Sequence, residues 1–249
     1  MTQDATPHRS EGSSPARLPA YTAAAVRAAE KPLLDAGEPL MERAASAIAA
    51  EARAMLDGEP GPVLVLAGRG DNGGDALFAA AELASGGCRV DMLLTSDGAH
   101  SAALGAARRA GATCRYLDDV RDAAFGYRLV IDGILGIGTS NDPALRGLAR
   151  ATVEALAPAI RASDAAVLAV DLPSGLHPDT GESDGVVLPA DTTVTMGALK
   201  TGLVTGRGPE FAGRIVLVDL GLAPQLAKVR PAVEVAVQSV PRPAGDQRA

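Results

Sequence analysis

The stretch Val63-Leu64-Val65-Leu66-Ala67-Gly68-Arg69-Gly70-Asp71-Asn72-Gly73-Gly74-Asp75 decides how the rest of this chain is read. Its first five residues are uninterrupted apolar, the pattern of a strand covered on both faces. The next eight contain G-x-G-x-x-G between that strand and a helical segment running from about Gly74 to Ala84, the context a dinucleotide fingerprint requires. Glycines let a backbone approach a pyrophosphate, and a helix N-terminus supplies oriented N–H donors. A tight strand-to-helix turn with Asp75 as a first-turn acid would look much the same. Asn72 and the carboxylates of Asp71 and Asp75 do not suit a plain phosphate cradle, so the turn is expected to coordinate something further.

Strands and helices alternate beyond this turn. Val90–Leu94, Leu129–Asp132, Ala166–Asp171, Thr193–Met196 and Ile215–Asp219 read as strands, with helices over His100–Ala110 and about Arg150–Arg161. Ahead of the first strand, Val26, Ala29, Leu33 and Leu34 share one helical face, and Leu40, Met41, Ala44, Ala45 and Ile48 share another. Gly37 and Pro39 break the two helices apart. Such alternation predicts an α/β fold, a Rossmann-like three-layer αβα sandwich with a mostly parallel central sheet. Ligands then bind beyond the carboxyl ends of the strands, where strand order reverses.

The ends of the chain read differently. Residues 1–18 are polar and rich in Ser, Pro and charge, and are expected to be a disordered leader; 19–222 form the single domain. Residues 223–249 hold a valine-rich stretch and then Pro241, Pro243 and Gly245, a linker-like tail.

Composition excludes several function classes. The net charge of −7 and an aromatic content of 2% disfavour nucleic-acid binding, which needs clustered cations and stacking platforms. No apolar run approaches the roughly 20 residues that span a bilayer, and no export signal is seen, so no membrane association is expected and the cytoplasm is the default location. Cys88 and Cys114 lack metal-ligand or disulfide spacing, and His8, His100 and His177 form no zinc motif.

Three further strand ends carry polar residues. Asp132-Gly133-Ile134-Leu135-Gly136-Ile137-Gly138-Thr139-Ser140 is a second glycine loop, whose hydroxyls can bond phosphate. Asp171-Leu172-Pro173-Ser174-Gly175 can project a carboxylate from a strand end, although Asp before a turn is also a common cap. Gly197-Ala198-Leu199-Lys200 offers a lysine for phosphate or proton transfer, or a plain surface cation. Asp91 lies about 20 residues past the glycines, where a dehydrogenase keeps its ribose-binding acid. It stands too early in its strand for that role and reads as an edge or strand-start residue.

Taken in order, these motifs resemble the YjeF N-terminal domain family, the NAD(P)HX epimerases. The family's Asn-Asn-Gly-Gly-Asp turn stands here as Asp71 to Asp75, its Asp-x-x-x-Gly-x-Gly loop as Asp132 to Gly138, and its Asp-Ile-Pro-Ser-Gly as Asp171 to Gly175. Its Gly-Ala-x-Lys segment is Gly197 to Lys200, and its Met-Glu-Arg-Ala is Met41 to Ala44. The resemblance runs from about Tyr21 to Leu222. It implies an isomerase that interconverts the R and S hydrates at C6 of damaged NADH and NADPH, and a homodimer.

By the same resemblance a potassium ion is bound by Asn72, Asp132 and Ser174, oxygen donors with one formal charge between them. Substrate contacts fall to Asp71, Asn72, Gly73, Gly74 and Asp75, to Gly136, Ile137, Gly138, Thr139, Ser140, Asn141 and Asp142, and to Asp171. Asp171 and Lys200 are the expected catalytic pair. Asp71 departs from the family's first Asn and adds negative charge, and the fused dehydratase found in many bacteria is expected to be absent here. Rival readings are a non-catalytic scaffold domain of the same fold and an NAD-dependent oxidoreductase.

Overall fold

Alternating apolar strands must bury both faces, and in the computed structural model they do so in three layers. Residues 17–138 and 142–236 are described. The chain begins with β1 (Arg17–Tyr21), α1 (Ala23–Asp35) and α2 (Leu40–Met55). The first half of the sheet follows as β2 (Val63–Ala67), α3 (Asp71–Ser85), β3 (Val90–Leu94), α4 (Ser101–Arg109) and β4 (Thr113–Cys114). Then come α5 (Leu117–Ala123), β5 (Leu129–Gly133), α6 (Gly147–Arg161), β6 (Ala166–Val170), β7 (Thr192–Met196) and β8 (Leu199–Lys200). Last are α7 (Gly208–Phe211), β9 (Arg214–Val218), α8 (Ala223–Leu226) and β10 (Val233–Ala236).

Seven strands form one parallel sheet in the order β4-β3-β2-β5-β6-β7-β9. Period-two alternation divides its side chains between two cores. Val63, Val65 and Ala67 pack with Ile48 of α2, Leu77 of α3 and Ala103 of α4. Leu64 and Leu66 face the other way, toward Val120 of α5 and Val153, Leu156 and Ile160 of α6. Leu64 and Leu66 are fully buried, and each such side chain contributes about 1.5–3 kcal/mol of transfer free energy.

Chain order reverses between β2 and β5, which pair directly, Leu66 opposite Asp132 and Ala67 opposite Gly133. The chain winds outward from β2 through β3 to β4, then crosses back to β5 and continues to β9. The loops after β2 and β5 therefore leave the sheet side by side at the reversal, where a crevice opens.

The structure adds strands that periodicity alone did not predict. β1 pairs antiparallel with β10 and parallel with β8, a small second sheet. Arg17 and Leu18, grouped above with the leader, are paired residues in it, and the valine-rich part of the tail supplies β10. The helix after the glycine turn starts at Asp71, earlier than its apolar pattern suggested, because glycines hide the helical period. Asp91 is not at an edge: β4 lies outside β3, with Asp91 opposite Thr113.

Candidate active site

The β2–α3 turn is the first wall. Gly70, in extended conformation, caps α3, so Asp71, Asn72 and Gly73 form its first turn. First-turn N–H groups have no intrahelical acceptor and lie at the positive end of the helix dipole. Asn72 ties three strand ends together, donating through Nδ2 to the carbonyl of Leu135 at 3.1 Å and of Val170 at 2.6 Å. Gly136 packs so close to this amide that a Cβ there would collide with Asn72 Oδ1. The second glycine loop thus needs its glycine for close approach.

Behind the wall, Asp132 at the end of β5 is completely buried. Its Oδ1 accepts from the Ser174 hydroxyl at 2.6 Å and from Ile134 N–H at 3.2 Å, and its Oδ2 accepts from Ser174 N–H at 2.9 Å. Ser174 Oγ accepts in turn from Leu135 N–H at 2.9 Å. Burial pushes the Asp132 carboxyl above its ordinary range, with only partial compensation from these donors. Among the described residues no lysine or arginine pairs with it.

Asp171 follows β6 in a left-handed backbone conformation, φ 69°, where side-chain-bearing residues are strained. Leu172 N–H bonds back to Val170 C=O at 2.9 Å, making a γ-turn around Asp171. The neighbouring strand ends the same way, with Ala198 N–H on Met196 C=O at 2.7 Å around Gly197, φ 69°. Glycine makes that turn at little cost; Asp171 makes it with a carboxylate, which then points back into the crevice. Its Oδ1 accepts from Lys200 Nζ, from Met196 N–H at 3.1 Å and from Thr195 Oγ1 at 3.3 Å. Lys200 is buried and also donates to the Met196 carbonyl at 2.6 Å. It is held in place by β8, whose partner is β1, with Tyr21 opposite Lys200.

These walls enclose a cleft of about 930 Å³ lined by Asp71, Asn72, Asp75, Gly136, Ile137, Gly138, Asp142 and Asp171. Gly73 and Gly74 are buried in α3 beneath it, while Asp132, Ser174 and Lys200 stand behind its lining. Asp142 is exposed and ion-paired with Arg146. Thr139, Ser140 and Asn141 lie outside the described residues.

Asp75 is 8% exposed, and its Oδ1 has no hydrogen-bond partner. Burial, reinforced by the charges of Asp171, Asp71 and Glu30 and opposed by Lys200, pushes its carboxyl up to about 8. Glu30, on α1, also lines the cleft, and burial raises its carboxyl too. Arg27, one turn earlier on α1, donates to the Ile137 carbonyl and so holds the second glycine loop. Sequence reasoning missed both. The available signal was Glu30 itself, which stands at i+4 from Val26 and i−3 from Leu33, a charge within an apolar helical stripe.

Against this geometry, the family model described as "YjeF-related protein N-terminus" matches residues 37–202. The chain belongs to this family. The match contains the glycine turn, Asp132, Asp171, Ser174 and Lys200, but not Glu30, which α1 brings from outside it. Within the family, the chain is 57% identical to a protein of Microbacterium testaceum named "NAD(P)H-hydrate epimerase", over 94% of this chain and 91% of that one. A protein of the same name from Clavibacter michiganensis subsp. michiganensis is 50% identical, over 81% of this chain and 90% of its own length. The "Bifunctional NAD(P)H-hydrate repair enzyme Nnr" of Mycobacterium tuberculosis is 39% identical, and the match spans 41% of that longer protein. Among solved structures, "yeast ynu0, YNL200c" superposes with a TM-score of 0.65 at 20% identity, over 75% of this chain and 84% of that one. This last likeness bears on the fold alone.

Proposed function

We propose that this chain is an NAD(P)H-hydrate epimerase, an isomerase that interconverts the R and S configurations at C6 of hydrated NADH and NADPH. The observation that carries the reading is the convergence at one sheet reversal of a helix N-terminus able to bind phosphate and a buried Asp171–Lys200 pair. The names of the relatives support the same activity.

The chemistry suits the residues. The C6 hydroxyl sits on a carbon next to the ring nitrogen, so its departure leaves an iminium stabilised by the nitrogen lone pair. Water must then add from the opposite face, with a base to take its proton. Every described hydrogen bond to the Asp171 carboxylate goes to Oδ1. Oδ2 is left for the substrate. Lys200 pairs with that carboxylate and orients it, a positioning role, since Lys200 itself does not line the cleft.

The residues behind the wall fit a potassium ion. Asp132 is a buried carboxyl without a cationic partner, bonded to the Ser174 hydroxyl, which lies beside the Leu135 carbonyl; Asn72 holds that carbonyl and that of Val170. One formal charge amid neutral oxygens matches a weakly hydrated monovalent cation better than a divalent one. Asn72, Asp132 and Ser174 would hold it. When bound, the ion supplies the charge that compensates Asp132 and locks the three loops that meet there.

The oxidoreductase alternative loses its ribose acid. Asp91 is buried on the far side of the sheet and bonded to Tyr127 Oη and Arg115 Nε, each at 3.0 Å. No helix among the described residues is long and apolar enough to cross a membrane. We place the enzyme in the cytoplasm with its nucleotide substrate, working as a homodimer; sedimentation of the purified chain tests the assembly. The deciding experiment follows purified R-NADHX as it converts to the S form, in potassium and in a larger organic cation. No acceleration over spontaneous epimerisation in either would refute the function, and equal rates in both would refute the ion.

A further inference from the structure

Asp71 is exposed at the cleft, and the Asp171 carboxylate is taken up by Lys200, Met196 and Thr195, but Asp75 is different. It lines the cleft five residues past the Gly70 cap, too far into α3 to cap the helix, and its buried Oδ1 meets no protein donor or acceptor. Charged groups face it from several elements: Glu30 of α1, Asp71 of α3, Asp171 after β6 and Lys200 of β8, while His100, the N-cap of α4, and Met41 of α2 pack against the adjacent Gly74. Three of those groups are carboxylates, and the lysine among them is already bonded to Asp171 and the Met196 carbonyl. A carboxyl in this position is neutral near pH 7, consistent with an ionisation at about 8. A neutral carboxyl carries one O–H donor, and the protein supplies no acceptor for it at Oδ1.

We propose that Asp75 is the catalytic acid of the epimerisation, donating its proton to the departing C6 oxygen. This rests on the epimerase reading above. The carboxyl O–H bond breaks and a new O–H bond forms on the C6 hydroxyl. The C6–O bond then breaks toward oxygen and water leaves, while the ring-nitrogen lone pair closes a C6–N double bond. Water adds to C6 from the other face, the C6–N π electrons return to nitrogen, and Asp171 accepts the proton of the incoming water. One proton has passed from Asp75 to Asp171, and exchange with solvent resets both. Two carboxyls with different partners, Asp171 bonded to Lys200 and Asp75 with none at Oδ1, thereby divide the acid and base roles. Glu30 is the positioning residue, since its charge helps keep Asp75 protonated.

The test is epimerisation of R-NADHX, corrected for the spontaneous rate, by the wild-type chain, Asp75→Asn and Glu30→Gln across the alkaline range. Asp75→Asn is expected to lose about a hundredfold in kcat or more, the scale of general acid catalysis, with KM little changed. Wild-type activity should fall as pH rises through about 8, and Glu30→Gln should move that fall to lower pH. An Asp75→Asn variant within about threefold of wild type would overturn the assignment. So would an alkaline limb that Glu30→Gln leaves in place, and this comparison decides the matter alone if Asp75→Asn does not fold. A wild-type chain that accelerates nothing at any pH removes the epimerase reading itself, a result distinct from either of these.

Discussion

Lys200 and Asp171 form an ion pair in which the two side chains are only 1% and 6% exposed. Removing one partner leaves the other charged in a site built to exclude water, which costs about 3–5 kcal/mol for buried pairs of this kind. Lys200→Met is therefore expected to lose stability on that scale as well as most of its activity. In a double-mutant cycle by chemical denaturation, Lys200→Met/Asp171→Asn should cost less than the sum of the single variants. Additive costs would mean that the pair does not interact.

Gly136→Ala places a methyl group against the Asn72 amide, which bridges the Leu135 and Val170 carbonyls. Asn72 must then give up one of those bonds. The expected outcome is a stability loss of about 1–2 kcal/mol, near the value of one buried hydrogen bond, with a larger loss of activity and of its dependence on potassium. A thermal melt beside an epimerisation assay checks both.

Asp75 also makes stability depend on pH. Its folded-state carboxyl is raised to about 8 from an ordinary 3.8, so between those values the folded chain holds a proton that the unfolded chain has lost. The stabilisation is complete below the lower value and is lost as pH rises toward the upper one. Asp75→Asn should accordingly lose less stability than wild type between pH 6 and about 9. Parallel curves for the two proteins would show that Asp75 is not protonated in the fold.

Asp132→Asn removes the one formal charge of the proposed ion site while keeping its shape. Activity is expected to become indifferent to potassium and to fall by about tenfold or more, at least the cost of losing a group that merely supports a metal ligand. The check is a potassium titration of the rate; a variant that keeps the wild-type potassium response would exclude Asp132 as a ligand.

Tyr127→Phe is the control on the far side of the sheet. It removes a 3.0 Å hydrogen bond to the buried Asp91 carboxylate, costing about 1–3 kcal/mol. Epimerisation per folded molecule should be unchanged. A drop in kcat would tie Asp91 to the site after all.

Much of this was legible before any coordinates. The strand of five apolar residues ahead of the glycine turn, the terminal Asp132 and Asp171, and Lys200 after Gly197 each carry a local signal: periodicity, a turn residue, a charge at a strand end. What local pattern did not carry was pairing. Residues 17–21 and 233–236 are too short, and each too far in sequence from any partner, to read as strands, yet they join each other across most of the chain. Glu30 read as part of an ordinary amphipathic helix, because nothing nearby in the sequence says which side of α1 meets Lys200.

The alternation of strands and helices and the polar residues at the ends of β2, β5 and β6 follow from the amino-acid sequence alone, since each depends on the pattern of apolar and polar groups within about 15 residues. That β2 and β5 lie side by side and open a crevice does not, because it is a matter of long-range pairing. The ionic character of the site was decided only by the tertiary structure. Asp171 and Asp75 are the same residue type at neighbouring positions in space, yet one is bonded to a buried lysine and the other meets no partner at Oδ1. Burial and the charges of distant segments set that difference, and a sequence read locally does not hold them.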